Sequence, residues 1–258
     1  MNQELITMTE KWKSLERKTV KQREKAENFY ETKLMKLIEE EFIANNTGKV
    51  YEKVEYLIMS VGTSYEPLVL DIQLLQPRRI LFLYTERTEC ILEKIVKYCQ
   101  LDAMRYAKRE VNETDPLDIY REIKAAYLKW SRPDKMYIDF TGGTKSMSAA
   151  AAMAGAVINV QLIYIGTTHY LTDFRKPEPG SETLYYISNP VDIFGYLELE
   201  KAFALFVKFN SAGARKKLVE LQESVPTPDI RQQLSFVSDL ALAYDPLAAL
   251  VFLVAYEP

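Results

Sequence analysis

From Tyr56 onward, short apolar runs alternate with longer amphipathic stretches, a pattern that fits a parallel sheet covered by helices. Strands are expected at Tyr56–Val61, Ile80–Tyr84, Met136–Phe140 and Gln161–Ile165, with a weaker one near Ala103–Lys108. Helices are expected between them, at Pro67–Leu75, Glu86–Gln100, Pro116–Trp130 and Lys145–Asn159. Each connection is then long enough for the right-handed crossover that parallel neighbours require. Beyond Ile165, Tyr170–Phe174 and Thr183–Ile187 alternate about the turn-rich link Arg175–Ser181, the pattern of a terminal antiparallel hairpin. The expected fold class is α/β: a Rossmann-like, mostly parallel sheet with helices on both faces and a terminal β-hairpin, flanked by N-terminal and C-terminal helical segments.

The flanks differ from this middle. Residues 1–53 are densely charged with balanced signs, and Leu5, Met8, Trp12 and Leu15, then Tyr30, Leu34, Leu37, Ile38 and Phe42, recur at helical spacing. They read as an N-terminal helical arm whose narrow apolar stripe packs on a neighbour or a second subunit, stopped by Asn45-Asn46-Thr47-Gly48. Residues 54–191 form the expected ligand-binding domain. Residues 192–258 read as a helical connector, with Leu197, Phe203, Phe206 and Phe209 in one segment and Leu234, Val237, Leu240, Leu247 and Leu250 in later ones. The chain ends at Ala255-Tyr256-Glu257-Pro258 straight after an apolar stretch, which suggests a fragment of a longer polypeptide whose next domain is missing.

Composition narrows the functional classes. With 258 residues, 48% hydrophobic and 12% aromatic, the chain can bury a core and hold one main domain plus appendages. A formal charge of -3 argues against a broad grip on duplex nucleic acid. His169 is the sole histidine, which excludes His-rich zinc sites and two-histidine metalloprotease helices, and no Gly-x-Ser-x-Gly elbow offers a nucleophile to a triad. No metal and no cofactor is expected. Cys90 and Cys99 fall in one expected helix on opposite faces, too far apart for a disulfide, and at least one reads as a core thiol. Neither a signal-peptide pattern nor an apolar run of about 18 residues occurs, so no membrane partner and a cytoplasmic location are expected.

In an open parallel sheet, ligands sit beyond the carboxyl ends of the strands, near the point where strand order reverses. Four such ends here are small and polar: Gly62-Thr63-Ser64, Thr85-Glu86, Thr141-Gly142-Gly143-Thr144-Lys145-Ser146, and Gly166-Thr167-Thr168 followed by His169. The third passes from an apolar strand through a glycine pair into an Ala-rich helix, aiming unpaired helix-start amides and one ammonium at an anion. Its spacing is too short for a P-loop, and the three-glycine dinucleotide fingerprint is absent. Taken alone, the glycine pair also serves as a plain strand-to-helix turn with Lys145 in solvent, and Ser64 and Thr85 serve equally as helix caps. Asn112–Pro116 either reaches over such a site or caps the next helix. A site rich in neutral donors with a single lysine suits spread-out phosphodiesters and base edges better than a triphosphate with magnesium.

On these residues, Met59–Ser64 and Asp139–Ser148 above all, the sequence resembles the CRISPR-associated Rossmann-fold (CARF) sensor domains. These share a glycine-threonine loop after the first strand and a Gly-Gly-Thr-Lys-Ser loop at a later strand-to-helix turn. Ile187–Gly195 is similar to the exit from such a domain, so the resemblance covers roughly residues 54 to 195. It implies a homodimer, or a higher oligomer, whose copies share one cleft for a cyclic oligoadenylate of four or six units, and a linked effector that lies outside this chain. It also implies that Gly142, Gly143, Thr144, Lys145 and Ser146 hold phosphate and ribose, while Gly62, Thr63 and Ser64 contact the ring. Three readings remain open: a sensor that regulates its effector allosterically in type III CRISPR defence, a ring nuclease using Lys145 and Ser146 in the same cleft, and a Rossmann-like domain for another nucleotide.

Overall fold

The computed structural model describes residues 2–224, 231–232 and 234–242, with backbone alone at 191–198 and 224. These residues fall into two units divided between Ile187 and Ser188. The first unit is built on strands β1 (Tyr56–Ser60), β2 (Arg79–Tyr84), β3 (Tyr106–Glu110), β4 (Met136–Asp139), β5 (Gln161–Thr167), β6 (Tyr170–Leu171), β7 (Lys176–Pro177) and β8 (Glu182–Ile187). Six of them form one sheet in the order β3-β2-β1-β4-β5-β8, and β6 and β7 form a separate two-stranded ribbon. The first five sheet strands run parallel, and only β8 is antiparallel, against β5. The expected α/β class is therefore the observed one.

The helices are α1 (Gln3–Lys13), α2 (Val20–Phe29), α3 (Met35–Asn46), α4 (Glu66–Leu75), α5 (Glu89–Tyr98), α6 (Pro116–Lys129) and α7 (Lys145–Ile158). Side chains alternate between the two sides of a strand, and both sides of this sheet are dry. Leu57, Met59, Phe82 and Tyr137 join Leu68, Leu70 and Ile95 of α4 and α5 in one core. Their neighbours Ile58, Leu81, Leu83 and Ile138 join Ile119, Ile123, Ala150 and Ala151 of α6 and α7 in another. Continuous apolar strands are what a doubly covered sheet demands.

The N-terminal helices pack into the first of these cores: Leu5, Trp12, Leu34, Ile38 and Phe42 are all buried with the residues of α4 and the sheet. α1 and α3 carry most of this contact, while α2 buries Ala26 alone. Asn46, at the end of α3, is fully buried and fastens this layer to the edge strand. Its Nδ2 donates to the Phe42 carbonyl at 2.8 Å, while its Oδ1 accepts from the Leu184 amide at 3.0 Å and the Thr183 hydroxyl at 3.1 Å. Lys49 Nζ adds a bond to the Leu184 carbonyl at 3.3 Å.

Two local expectations shift. The terminal antiparallel strand forms, but its partner is β5, in register Ile165 with Leu184, and not Tyr170–Phe174. Tyr170 and Leu171 pair instead with Pro177 and Lys176, because the turn residues tighten the link into its own ribbon. Strand β3 starts at Tyr106, three residues later than the pattern suggested, since Asp102 turns the chain by accepting from the Met104 amide at 2.7 Å and, through its carbonyl, from Arg105 at 2.8 Å. Cys90 is exposed and Cys99 partly buried, both free, and burial pushes the Cys99 thiol up to about 12.

The second unit contains α8 (Pro190–Val207), α9 (Ser211–Ser224) and a helical stretch at 234–242. Ala202, Leu218, Leu221, Leu234 and Ala241 are buried together, with Phe206 and Val237 against them. Phe209, expected on the helical stripe, instead lies beyond α8 with φ +59° and is exposed. Leu247, Leu250 and the chain's end lie outside the described residues. Among the described residues, no helix is long and apolar enough to cross a membrane.

Candidate anion-binding site

Strand order reverses between β1 and β4, and the two glycine loops emerge side by side at the carboxyl ends of these two strands. They touch through bare backbone. A Cβ on Gly62 would lie 2.6 Å from the Gly143 nitrogen, and one on Gly142 would lie 2.2 Å from the Ser60 carbonyl oxygen and 2.9 Å from the Gly62 nitrogen. Ser60, buried at the end of β1, donates its hydroxyl to the Gly142 carbonyl at 2.6 Å, and Ser148 donates to the same oxygen at 3.2 Å. Gly143 takes φ +88°, a backbone state that favours glycine and turns the chain into α7.

The hydroxyls divide into two groups. Thr141 is spent on structure: its amide donates to Asp139 Oδ1 at 2.8 Å, its hydroxyl donates to the same oxygen, and it accepts from the Ile165 amide at 2.8 Å. Thr144 caps α7, accepting from the Met147 amide at 3.3 Å and donating to the Glu113 carbonyl at 3.0 Å. The Asn112–Pro116 segment thus both leans on the glycine turn and caps its own helix, through Asp115 Oδ1 and the Leu117 amide at 3.0 Å. Thr85 closes a capping box with Thr88 at the end of β2. Thr167 bonds the Ser181 hydroxyl and the His169 carbonyl, and the Thr168 amide bonds the Ser181 carbonyl at 3.0 Å, so both belong to the turn that leads into β8. Gly166 is buried, wedged between the rings of Tyr164 and Tyr185.

The second group faces solvent unengaged. Thr63 and Ser64 are exposed after β1, Lys145 is exposed at the first position of α7, and Ser146 is half-buried beside it. None of these four side chains makes a hydrogen bond or ion pair to the described residues. The amides of Lys145 and Ser146 also lack intrahelical partners, as at any helix start. Glu86 is exposed at the end of β2, whereas Glu113, whose carbonyl accepts from Thr144, is held by Arg87 at 2.9 Å. Together Gly62, Gly142 and Gly143 give a floor without side chains, and Thr63, Ser64, Lys145 and Ser146 give donors around it. Such a surface can take a phosphodiester and its ribose hydroxyls. No cluster of three or more metal-ligating side chains occurs among the described residues.

Sequence reasoning gave no role to two buried carboxyls on the elements that flank these loops. Asp71 of α4 and Asp139 at the end of β4 are both fully buried. The signal was an aspartate inside an apolar run in each case, Leu68-Val69-Leu70-Asp71-Ile72 and Tyr137-Ile138-Asp139-Phe140. Burial pushes Asp139 up to about 6 despite its Thr141 bonds, and burial together with the neighbouring Asp139 carboxylate pushes Asp71 well above the usual range.

Residues 68–192 match the family model described as the Card1 CARF domain, a span that includes the glycine turn and starts just after the first loop. The CRISPR system endoribonuclease Csm6 of Thermus thermophilus is 29% identical over 165 residues, 61% of this chain and 34% of that protein, so the chain spans about a third of its relative. A structure of Can2 from Sulfobacillus thermosulfidooxidans, in complex with cyclic tetra-adenylate, is 17% identical with a TM-score of 0.40, covering 50% of this chain and 33% of that one. The matched span carries the turn whose geometry is set out above, and it is over residues 68–192 that the chain matches the CARF domains.

Proposed function

We propose that this chain is a sensor for cyclic oligoadenylate in type III CRISPR defence. Two copies bring their glycine floors together about a two-fold axis, and a ring of four or six adenylates presents the same face to each, as an isologous pair demands. The observation that carries this reading is the unpaired Lys145 at the start of α7, directly beside a backbone-only floor at the strand-order switch. A phosphodiester there meets helix-start amides and one ammonium, and the exposed Thr63 and Ser64 and the half-buried Ser146 take ribose and non-bridging oxygens. Occupancy favours one arrangement of the pair to the extent that it binds that arrangement more tightly, and the helical unit after Ile187 passes the bias to an effector.

Calorimetric titration with cyclic tetra-adenylate, cyclic hexa-adenylate and linear tetra-adenylate tests the reading. One ring is expected to bind as one ligand per two chains, and the absence of heat with both rings rejects it. Lys145→Ala is expected to weaken ring binding by about 1.5 to 3 kcal/mol, the range of a charge-assisted hydrogen bond, with thermal unfolding unchanged because its side chain is exposed. A Lys145→Ala chain that fails to fold places the lysine in the structure and not in the site.

The unengaged Ser146 hydroxyl next to Lys145 favours a second reading, slow ring cleavage. A ribose 2′-hydroxyl attacks its own neighbouring phosphate, forming a cyclic phosphate and releasing the next ribose's 5′-oxygen, which takes up a proton, and alignment supplies much of the rate. Intact labelled ring after prolonged incubation with the native chain rules this out.

A further inference from the structure

Asp71 and Asp139 are neighbours on the two elements that adjoin the loops of the site. Helix α4 follows the first loop at once and carries Asp71, while Asp139 ends β4 and holds the Thr141 turn through Oδ1. Their remaining oxygens are stranded: Asp71 Oδ1, Asp71 Oδ2 and Asp139 Oδ2 are buried without a hydrogen-bond partner. Two carboxylates cannot bond to each other, and no cation pairs with either among the described residues. The titratable groups that face the pair are Tyr137, on the same strand as Asp139, and Tyr186 of β8, whose hydroxyls lie side by side, with Glu52 at the far side of Tyr137. Neither tyrosine brings a positive charge.

One proton resolves the account. Placed on Asp71, it is donated to Asp139 Oδ2, satisfies two of the three stranded oxygens, and leaves Asp139 charged to accept both bonds from Thr141. We propose that Asp71 is a positioning residue for the anion-binding turn, sharing a buried proton with Asp139 that holds α4 against the end of β4 and so keeps the two glycine loops in contact. The proposal is independent of which anion the turn receives.

The direction of its pH dependence follows. The folded chain keeps a proton that the unfolded chain, with ordinary aspartates, gives up in acid. The pair's contribution to stability is therefore greatest in acid and falls as pH rises through the range in which the folded pair is still protonated. Loss of the proton leaves two like charges in a dry site, driving α4 from β4.

Infrared spectra of the native chain at pH 7 should show a protonated-carboxyl stretch that persists in Glu182→Gln and disappears in Asp71→Asn. Glu182 is the necessary control because burial pushes it up to about 7. The Thr141 amide resonance should move as pH rises from neutral in the native chain and stay still in Asp71→Asn, whose amide can donate to Asp139 at every pH. The melting temperature of the native chain should fall by roughly 3 °C per pH unit above pH 5, and less steeply in Asp71→Asn. A native chain with no such stretch, or with a Thr141 resonance that does not titrate, overturns the proposal without any variant, and so does a stretch that survives Asp71→Asn.

Discussion

Gly142→Ala should destabilise the first unit by about 3 kcal/mol or more and abolish whatever the glycine turn binds. The new methyl group would lie 2.2 Å from the Ser60 carbonyl oxygen and 2.9 Å from the Gly62 nitrogen, distances at which something must shift. Both obstacles are backbone, one of them in a central strand paired on both sides, so neither can yield as a flexible side chain does. Forced overpacking of this kind costs about 1 to 3 kcal/mol where side chains can adjust, and more where they cannot. The Ser60 hydroxyl would also lose its 2.6 Å bond to the Gly142 carbonyl as the turn moves away. Urea unfolding measures the loss. A midpoint equal to that of the native chain would mean that the two loops do not touch as described, and the site would fall with that contact.

Leu34→Ala tests the opposite end of the chain. Leu34 closes a π-turn between α2 and α3 and is fully buried in the core that also holds Leu57, Leu68 and Phe82. Removing its branched end should cost about 2 to 5 kcal/mol, the range for leucine-to-alanine cavities. Because the core it belongs to also holds residues of the sheet and α4, the change should lower the midpoint of one cooperative transition. Were the N-terminal helices an independent appendage, the variant would instead show an early separate transition, with the sheet melting where it did before. The two outcomes are readily told apart by following helix signal and sheet-buried tyrosine fluorescence together.

Much of the architecture was legible because period and punctuation agree. The runs Leu57–Met59, Ile80–Leu83 and Met136–Ile138 are apolar throughout, as doubly covered strands are, and Asp115-Pro116 and Thr144-Lys145 mark helix starts by side-chain chemistry. Strand β3 was harder because Tyr106–Glu110 is an edge strand with mostly exposed, charged residues, and its apolar signal is correspondingly thin. Pairing partners were not legible for Thr183–Ile187, since alternation states that a strand has one wet face and says nothing of its neighbour. At the site, spacing located the glycine turn, but it could not separate hydroxyls that hold the loop, such as Thr141 and Thr144, from those left free, such as Thr63 and Ser146. That distinction depends on where the Ile165 amide and the Glu113 carbonyl come to lie. Asp71 went unnoticed because a lone carboxyl in an apolar helix has no spacing rule, and its meaning comes only from a second carboxyl 68 positions away in sequence.

The clamp made by Asn46 and Lys49 has an effect beyond fastening a helix. Edge strands ordinarily offer a row of free amides and carbonyls on which another chain can template itself. On β8 the Leu184 amide and carbonyl are already taken by those two side chains, and on the opposite margin β3 presents Lys108, Arg109 and Glu110 to water. Both borders of the six-stranded sheet are thus blunted, which disfavours strand-to-strand addition of another chain at Leu184 and along β3.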